Sequence, residues 1–225
     1  MALDLLCEAA AEDLTDSLNA NQLGVTWRRA LTGVQMKIVG PQDKKEKNKT
    51  TTPDVAEIRR RARANVEDGA VTDAYRADRE TVVKLLNESL ATEIVCVLRY
   101  KRHYYMASGI HAQTAATEFL EHATMEQSHA DRIAERIIQL GGGPDLNPDT
   151  LTSRSHAEYV EGSTLADMLR ENLVAERIAI ESYSQFIRYL ADNDSTTRRL
   201  LEEILATEEE HADDIKTLME RFKDT

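Results

Sequence analysis

From residue 78 onward, apolar positions recur at helical spacing, and the recurrence breaks only at glycine, proline and short polar clusters. Such a period marks helices that bury one face. It predicts four long helices. The first spans about 78–108 and stops at Gly109. The second spans about 114–140 and ends against Gly141-Gly142-Gly143-Pro144, residues that leave a helix readily. The third starts near Thr164, where Thr164-Leu165-Ala166-Asp167 has capping-box spacing, and runs to about 191. The fourth begins after Asp192-Asn193-Asp194-Ser195 and runs to about 222. Helices one and two, and three and four, are joined by short turns. A crossover of more than twenty residues joins the second to the third, and Ser155-His156-Ala157-Glu158 is expected to open a small helix within it. One long crossover between two helix hairpins predicts an all-α four-helix bundle, not an up-down-up-down one.

Ahead of the bundle the pattern is weaker. Residues 1–40 carry a short amphipathic stretch through Leu3, Leu6, Ala10, Leu14 and Leu18. The segment from Pro41 to Pro53 is polar and Lys-rich. Residues 1–53 therefore read as an extension ending in a flexible linker, 54–77 as a surface helix and lead-in, and 78–225 as the bundle.

The buried stripes carry acids where apolar residues belong. Glu93 shares its stripe with Leu86, Ser89, Val97 and Tyr100. Glu126 follows Phe119 and precedes Ala130 and Ile133. Glu176 lies in phase with Leu169, Leu173, Ile180 and Tyr183, and Glu208 with Leu201, Leu205, Ala212 and Ile215. Unpaired carboxylates in a bundle interior cost several kcal/mol each. The sequence suggests no inward Arg or Lys beside them, so bound cations are the economical answer. Two of the acids have histidines three residues on, in Glu126-Gln127-Ser128-His129 and Glu208-Glu209-Glu210-His211. Side chains three apart on a helix sit about 60° apart around the axis and roughly 4.5 Å along it, so both reach one point. Glu93 precedes Glu126 by 33 residues and Glu176 precedes Glu208 by 32. A Glu…Glu-x-x-His unit thus occurs twice, once per helix pair. Four carboxylates neutralise two divalent ions, and oxygen with imidazole donors suits Fe or Mn, with Zn also acceptable.

At these residues the chain resembles the bacterioferritins and Dps-like ferritins. The stretches from Leu86 to Glu93, Glu126 to His129 and Glu208 to His211 are similar to that family's ligand segments, and the likeness covers about 78–220. It implies a ferritin-like di-iron bundle with two Fe ions per subunit. Glu93 with His129 would hold one, Glu176 with His211 the other, and Glu126 and Glu208 would bridge them. Tyr100 matches a tyrosine that the family places beside its site as an electron source. The implied activity is a ferroxidase that oxidises Fe(II) with O2 or H2O2 and stores Fe(III) inside a closed homo-oligomer. Haem is not expected: the family's haem methionine directly follows the second-helix glutamate, and Gln127 stands there. Only 14 residues follow His211, too few for the extra helix of a 24-subunit shell, so a 12-mer is favoured over a 24-mer.

Charge sharpens the picture. The formal net charge is −12, and residues 66–225 carry 17 basic and 31 acidic groups. Such a body repels nucleic acid and draws in cations. The basic groups gather at residues 41–65, so a DNA-associating protective protein is the less favoured alternative. A dimetal oxygenase or manganese oxidase is another. Two cysteines, Cys7 and Cys96, imply no disulfide framework, and no apolar run approaches the about 20 residues needed to span a bilayer. The N-terminus lacks a signal-peptide pattern, and a cytoplasmic protein with no membrane partner is expected. Cys96 reads as an ordinary core thiol. His103, His111, His122 and His156 are expected at the surface or at helix ends, with His122, four residues before Glu126, the first candidate for an exception.

Overall fold

The structure is a computed structural model that describes residues 52–223. The extension and Lys-rich linker expected over 1–53 lie outside the described residues, except for their last two positions. Among the described residues are six α-helices: α1 (Val55–Arg61), α2 (Arg79–Met106), α3 (Ala112–Gln139), α4 (Leu151–Arg154), α5 (Leu165–Leu190) and α6 (Ser195–Lys223). Short 3-10 turns occupy Val66–Asp68 and Pro148–Thr150, and no strand occurs among the described residues. The bundle consists of α2, α3, α5 and α6. Helix α2 packs along α3, and α5 along α6, while lighter α3–α6 and α2–α5 contacts close the ring.

Local chemistry sets the helix ends. Thr164 accepts from the Asp167 amide at 3.1 Å while its own amide donates to Asp167 Oδ2 at 3.0 Å, a complete capping box. At the end of α3 the Gly142 amide reaches back to Ile137 and the Gly141 amide to Ile138, both at 2.9 Å, with Gly141 at φ 74°. These two bonds make a Schellman motif. Asp194 caps α6 through the Thr197 amide at 2.9 Å. It also pairs with Arg136 of α3 at 3.0 Å and accepts from Tyr75 at 3.0 Å. One aspartate therefore fixes the start of α6 against both α3 and the lead-in segment.

The small helix of the crossover is α4, at 151–154, not one opening at Ser155. Asn147 accepts from the Asp149 amide at 3.1 Å and Pro148 takes the first helical turn, so the local start signal precedes the expected one. Ser155 is instead the extended residue that ends α4, its hydroxyl donating to the Ala157 carbonyl at 2.6 Å.

Two apolar layers fill the bundle. One gathers Val82, Leu86 and Leu90 with Ile133, Ile137, Phe186, Leu190, Leu201 and Ile204. The other gathers Tyr100, Phe119, Met168, Leu169, Ile215 and Leu218. Each fully buried side chain of this size contributes about 1.5–3 kcal/mol. On every bundle helix the residues between these layers include a buried glutamate. The interior is thus apolar, then polar, then apolar along its length.

Candidate metal centre

Glu93, Glu126, His129, Glu176, Glu208 and His211 meet in that polar band, each no more than 4% exposed. Ligand atoms of Glu93, Glu126, His129 and Glu208 all lie within 4.8 Å of one another, and so do those of Glu126, Glu176, Glu208 and His211. The two groups share Glu126 and Glu208. Oxygen by oxygen, the sharing is symmetric. Glu126 places Oε2 3.7 Å from His129 Nδ1 and Oε1 3.6 Å from His211 Nδ1. Glu208 places Oε1 2.9 Å from His129 and Oε2 3.7 Å from His211. Glu93 Oε2 stands 3.3 Å from His129 and Glu176 Oε2 3.7 Å from His211.

These are close ion-pair contacts whose geometry makes no hydrogen bond at the atoms facing the centre. Glu93 Oε2, Glu126 Oε1, both Glu208 oxygens and the Nδ1 atoms of His129 and His211 are buried with no hydrogen-bond partner. Orphaned buried polar atoms are rare in folded proteins. Here six line two overlapping groups of side chains, as the ligands of two neighbouring cations would.

Surrounding groups hold the ligands in place. Tyr183 donates to Glu93 Oε1, and Tyr100 donates to Glu176 Oε1. His211 Nε2 lies 3.0 Å from Met125 Sδ. A thioether only accepts, so Nε2 keeps its proton and Nδ1 is the nitrogen that faces the glutamates.

Burial and mutual repulsion set the titration of Glu93, Glu176 and Glu208. Burial, followed by the charge of Glu126, pushes Glu93 well above the usual carboxylate range. Burial and Glu93 push Glu208 up to about 8. Burial acts the same way on Glu176, but contacts with His211, Glu208 and Tyr100 outweigh it and bring it down to about 2. Glu93 and Glu176 occupy equivalent places yet shift in opposite directions. The common cause is that neighbouring carboxylates cannot all ionise together, so the group titrates as a unit. Burial opposes charge on both histidines, but the surrounding glutamates prevail and raise His129 and His211 to about 12.

Several expectations need correction. His122 and His103 are buried, not superficial. His122 stacks on His211 with centroids 3.9 Å apart, its Nδ1 lies 3.1 Å from the Tyr100 hydroxyl, and burial with the His211 charge lowers it to about 4. His103 sits between Asn172 Oδ1 and the Val160 carbonyl, 3.1 Å from each. Arg99 is an inward cation, 1% exposed, that donates to Asn172 at 2.9 Å, the Glu158 carbonyl at 3.2 Å and Cys96 Sγ at 3.5 Å. Those partners are neutral, so Arg99 does not neutralise the glutamates by pairing with them. Cys96 is buried, and burial pushes its thiol well up. Gln127 is exposed and donates to Asp131 at 2.9 Å.

Comparisons with known proteins place the chain among relatives. Residues 83–225 match the model of the ferritin-like domain family. The bacterioferritin of Desulfovibrio desulfuricans is 30% identical over 138 residues, 60% of this chain and 73% of the relative. Its solved structure, described as a diiron site in different catalytic states, superposes with a TM-score of 0.58, covering 65% of this chain and 82% of that one. The bacterioferritin of Mycobacterium avium is 32% identical over 143 residues, 62% of this chain and 84% of the relative. A dodecameric thioferritin from Bacteroides fragilis, a bacterioferritin-related protein, is 30% identical with a TM-score of 0.63, covering 66% and 92%.

Proposed function

Because the chain belongs to the ferritin-like domain family, we propose that it is a ferroxidase that binds two Fe(II) per subunit, oxidises them with O2 or H2O2 and stores the Fe(III). The observation that carries this reading is the set of six buried, partnerless oxygen and nitrogen atoms around two overlapping ligand groups. Glu93 and His129 would hold one ion and Glu176 and His211 the other, with Glu126 and Glu208 within reach of both. Four ionised carboxylates carry the charge that two divalent ions would cancel, so the loaded site would be neutral. The donor set fits Fe or Mn, and Zn as an inert substitute.

Iron supplies the electrons, and the protein supplies geometry and charge. His129 and His211 give up their protons on loading and present Nδ1. Tyr183 and Tyr100 hold the outer carboxylates, leaving one oxygen of each for the ion. Tyr100 also stands between Glu176 and His122, where it can deliver an electron or a proton to the site. The apolar layers on either side keep bulk water from the reacting groups. A closed homo-oligomer, a 12-mer in preference to a 24-mer, fits the dodecameric relative and gives the oxidised iron a cavity. A cytoplasmic location is consistent with the described helices, none of which is long and apolar enough to cross a membrane.

The DNA-associating alternative rests on residues 42–63, of which 42–51 lie outside the described residues. The test of the favoured reading is aerobic addition of Fe(II) to the purified protein. Ferric absorbance should rise rapidly up to about two iron per subunit. An unchanged rate in Glu126→Ala would overturn the assignment of the site.

A further inference from the structure

The donors do not stop at the six central residues. On α3, Glu118, His122 and Glu126 follow at i, i+4 and i+8, so they line one face. On α6, Glu208, His211 and Asp214 do the same at i, i+3 and i+6. The two faces meet. Ligand atoms of Glu118, His122 and Asp214 lie within 4.8 Å of one another, and a second triad of His122, Glu176 and His211 meets the same limit. His122 belongs to both.

Burial is graded along this ladder. Asp214 is exposed, Glu118 is partly buried, and His122 is 2% exposed. His122 Nε2 lies 3.3 Å from Glu118 Oε1 while its ring stacks on His211, whose Nδ1 is buried and partnerless. A surface Glu–His pair alone would be an ordinary helix contact. A buried imidazole joining a partly buried and an exposed acid to an interior histidine is a different arrangement. It gives a desolvating cation a new ligand before the previous one is released.

We propose that Glu118, His122 and Asp214 form a loading site for a divalent cation, from which Fe(II) passes by way of His122 to the Glu176–His211 half of the centre. The proposal rests on the dimetal reading above. Two carboxylates and one imidazole make a site of −2 charge, matched to one divalent ion, with open positions left for water. Fewer ligands than at the centre make it the weaker site, as transfer inward requires.

The test uses the full chain and a Glu118→Gln/Asp214→Asn variant, which alters no residue of the centre and no buried acid. Crystals soaked anaerobically with Mn(II) should show a third anomalous peak at the triad in the wild type and not in the variant. Anaerobic Co(II) titration should fall from three ions per chain to two. Oxidation at limiting Fe(II) should slow by about tenfold in the variant and recover at high Fe(II), as for a lost capture step. Ions at the centre but none at the triad would overturn the loading site and leave the dimetal reading standing. An ion at the triad with none at the centre would overturn both the transfer role and that reading. Equal Co(II) stoichiometry in the two proteins would also overturn the site.

Discussion

Tyr183 and Glu93 meet across the bundle, the phenol of α5 donating to the carboxylate of α2. Tyr100 and Glu176 repeat the contact in the opposite sense, from α2 to α5. Each tyrosine follows its own helix's glutamate by seven residues, two turns on the same face, and holds the glutamate of the other helix. The site is therefore built from two halves that brace each other.

Removing either phenol should loosen the ligand it holds without unfolding the protein. A hydrogen bond to a charged group is worth about 1.5–3 kcal/mol, which is at least tenfold in affinity. Tyr183→Phe should weaken the Glu93–His129 position by about that factor, and Tyr100→Phe the Glu176–His211 position. Competitive Zn(II) titration reads both. Tyr100→Phe should slow iron oxidation more than Tyr183→Phe, because only Tyr100 also contacts His122.

Metal binding should stabilise the fold. An ion at about 1,000 times its dissociation constant adds about 4 kcal/mol. Calorimetry with Zn(II) should give a higher Tm, reversed by a chelator. Glu208→Gln should lose most of that rise, since Glu208 faces both histidines.

Loading should expel protons, and affinity should strengthen as pH rises. His129 and His211 are raised to about 12 in the metal-free protein, above their ordinary value of about 6.5. Raised histidines stabilise the empty fold fully below the unfolded value, and lose that contribution only as pH climbs through the folded one. Near pH 7 both are therefore charged and must deprotonate to bind. Anaerobic addition of Zn(II) to weakly buffered protein should release at least two protons per subunit. No release would contradict the titration assigned to the centre.

Asp194 should be critical to stability but not to chemistry. Asp194→Ala leaves Arg136 buried without its carboxylate and removes the cap of α6, at a cost of about 3–5 kcal/mol in denaturant unfolding. Burial opposes the Asp194 charge, but hydrogen bonds from Thr197 and the Arg136 charge prevail and hold its pKa low. A lowered carboxylate contributes stability above its unfolded value of about 3.9 and loses it as pH falls through the folded one. The difference between wild type and the alanine variant should therefore narrow in strong acid.

Much of this was legible in the sequence. Period and turn chemistry fixed the four long helices to within about two residues, because glycines, Thr164 and Asp194 mark the ends locally. The four central glutamates stood out because an acid in apolar phase contradicts its surroundings, and His129 and His211 because each follows one of those glutamates by three residues. What was missed depended on contacts distant in sequence. His103 is buried by Val160 and Asn172, 57 and 69 residues away, and Arg99 by Glu158 and Asn172. Residue type suggested the surface for both histidines, although His103 follows Tyr100 by three residues and His122 follows Phe119 by three. Phase alone would have placed them inside. The small crossover helix was misplaced because Asn147-Pro148 was a stronger local start than Ser155.

The most direct test of the central claim is anomalous diffraction from crystals loaded anaerobically with Fe(II) or Mn(II). Two peaks should appear inside the bundle about 3.5–4 Å apart, with Glu126 and Glu208 each directing one oxygen to one ion and the other oxygen to the second. A single peak, or no peak within reach of His129 and His211, would contradict the account.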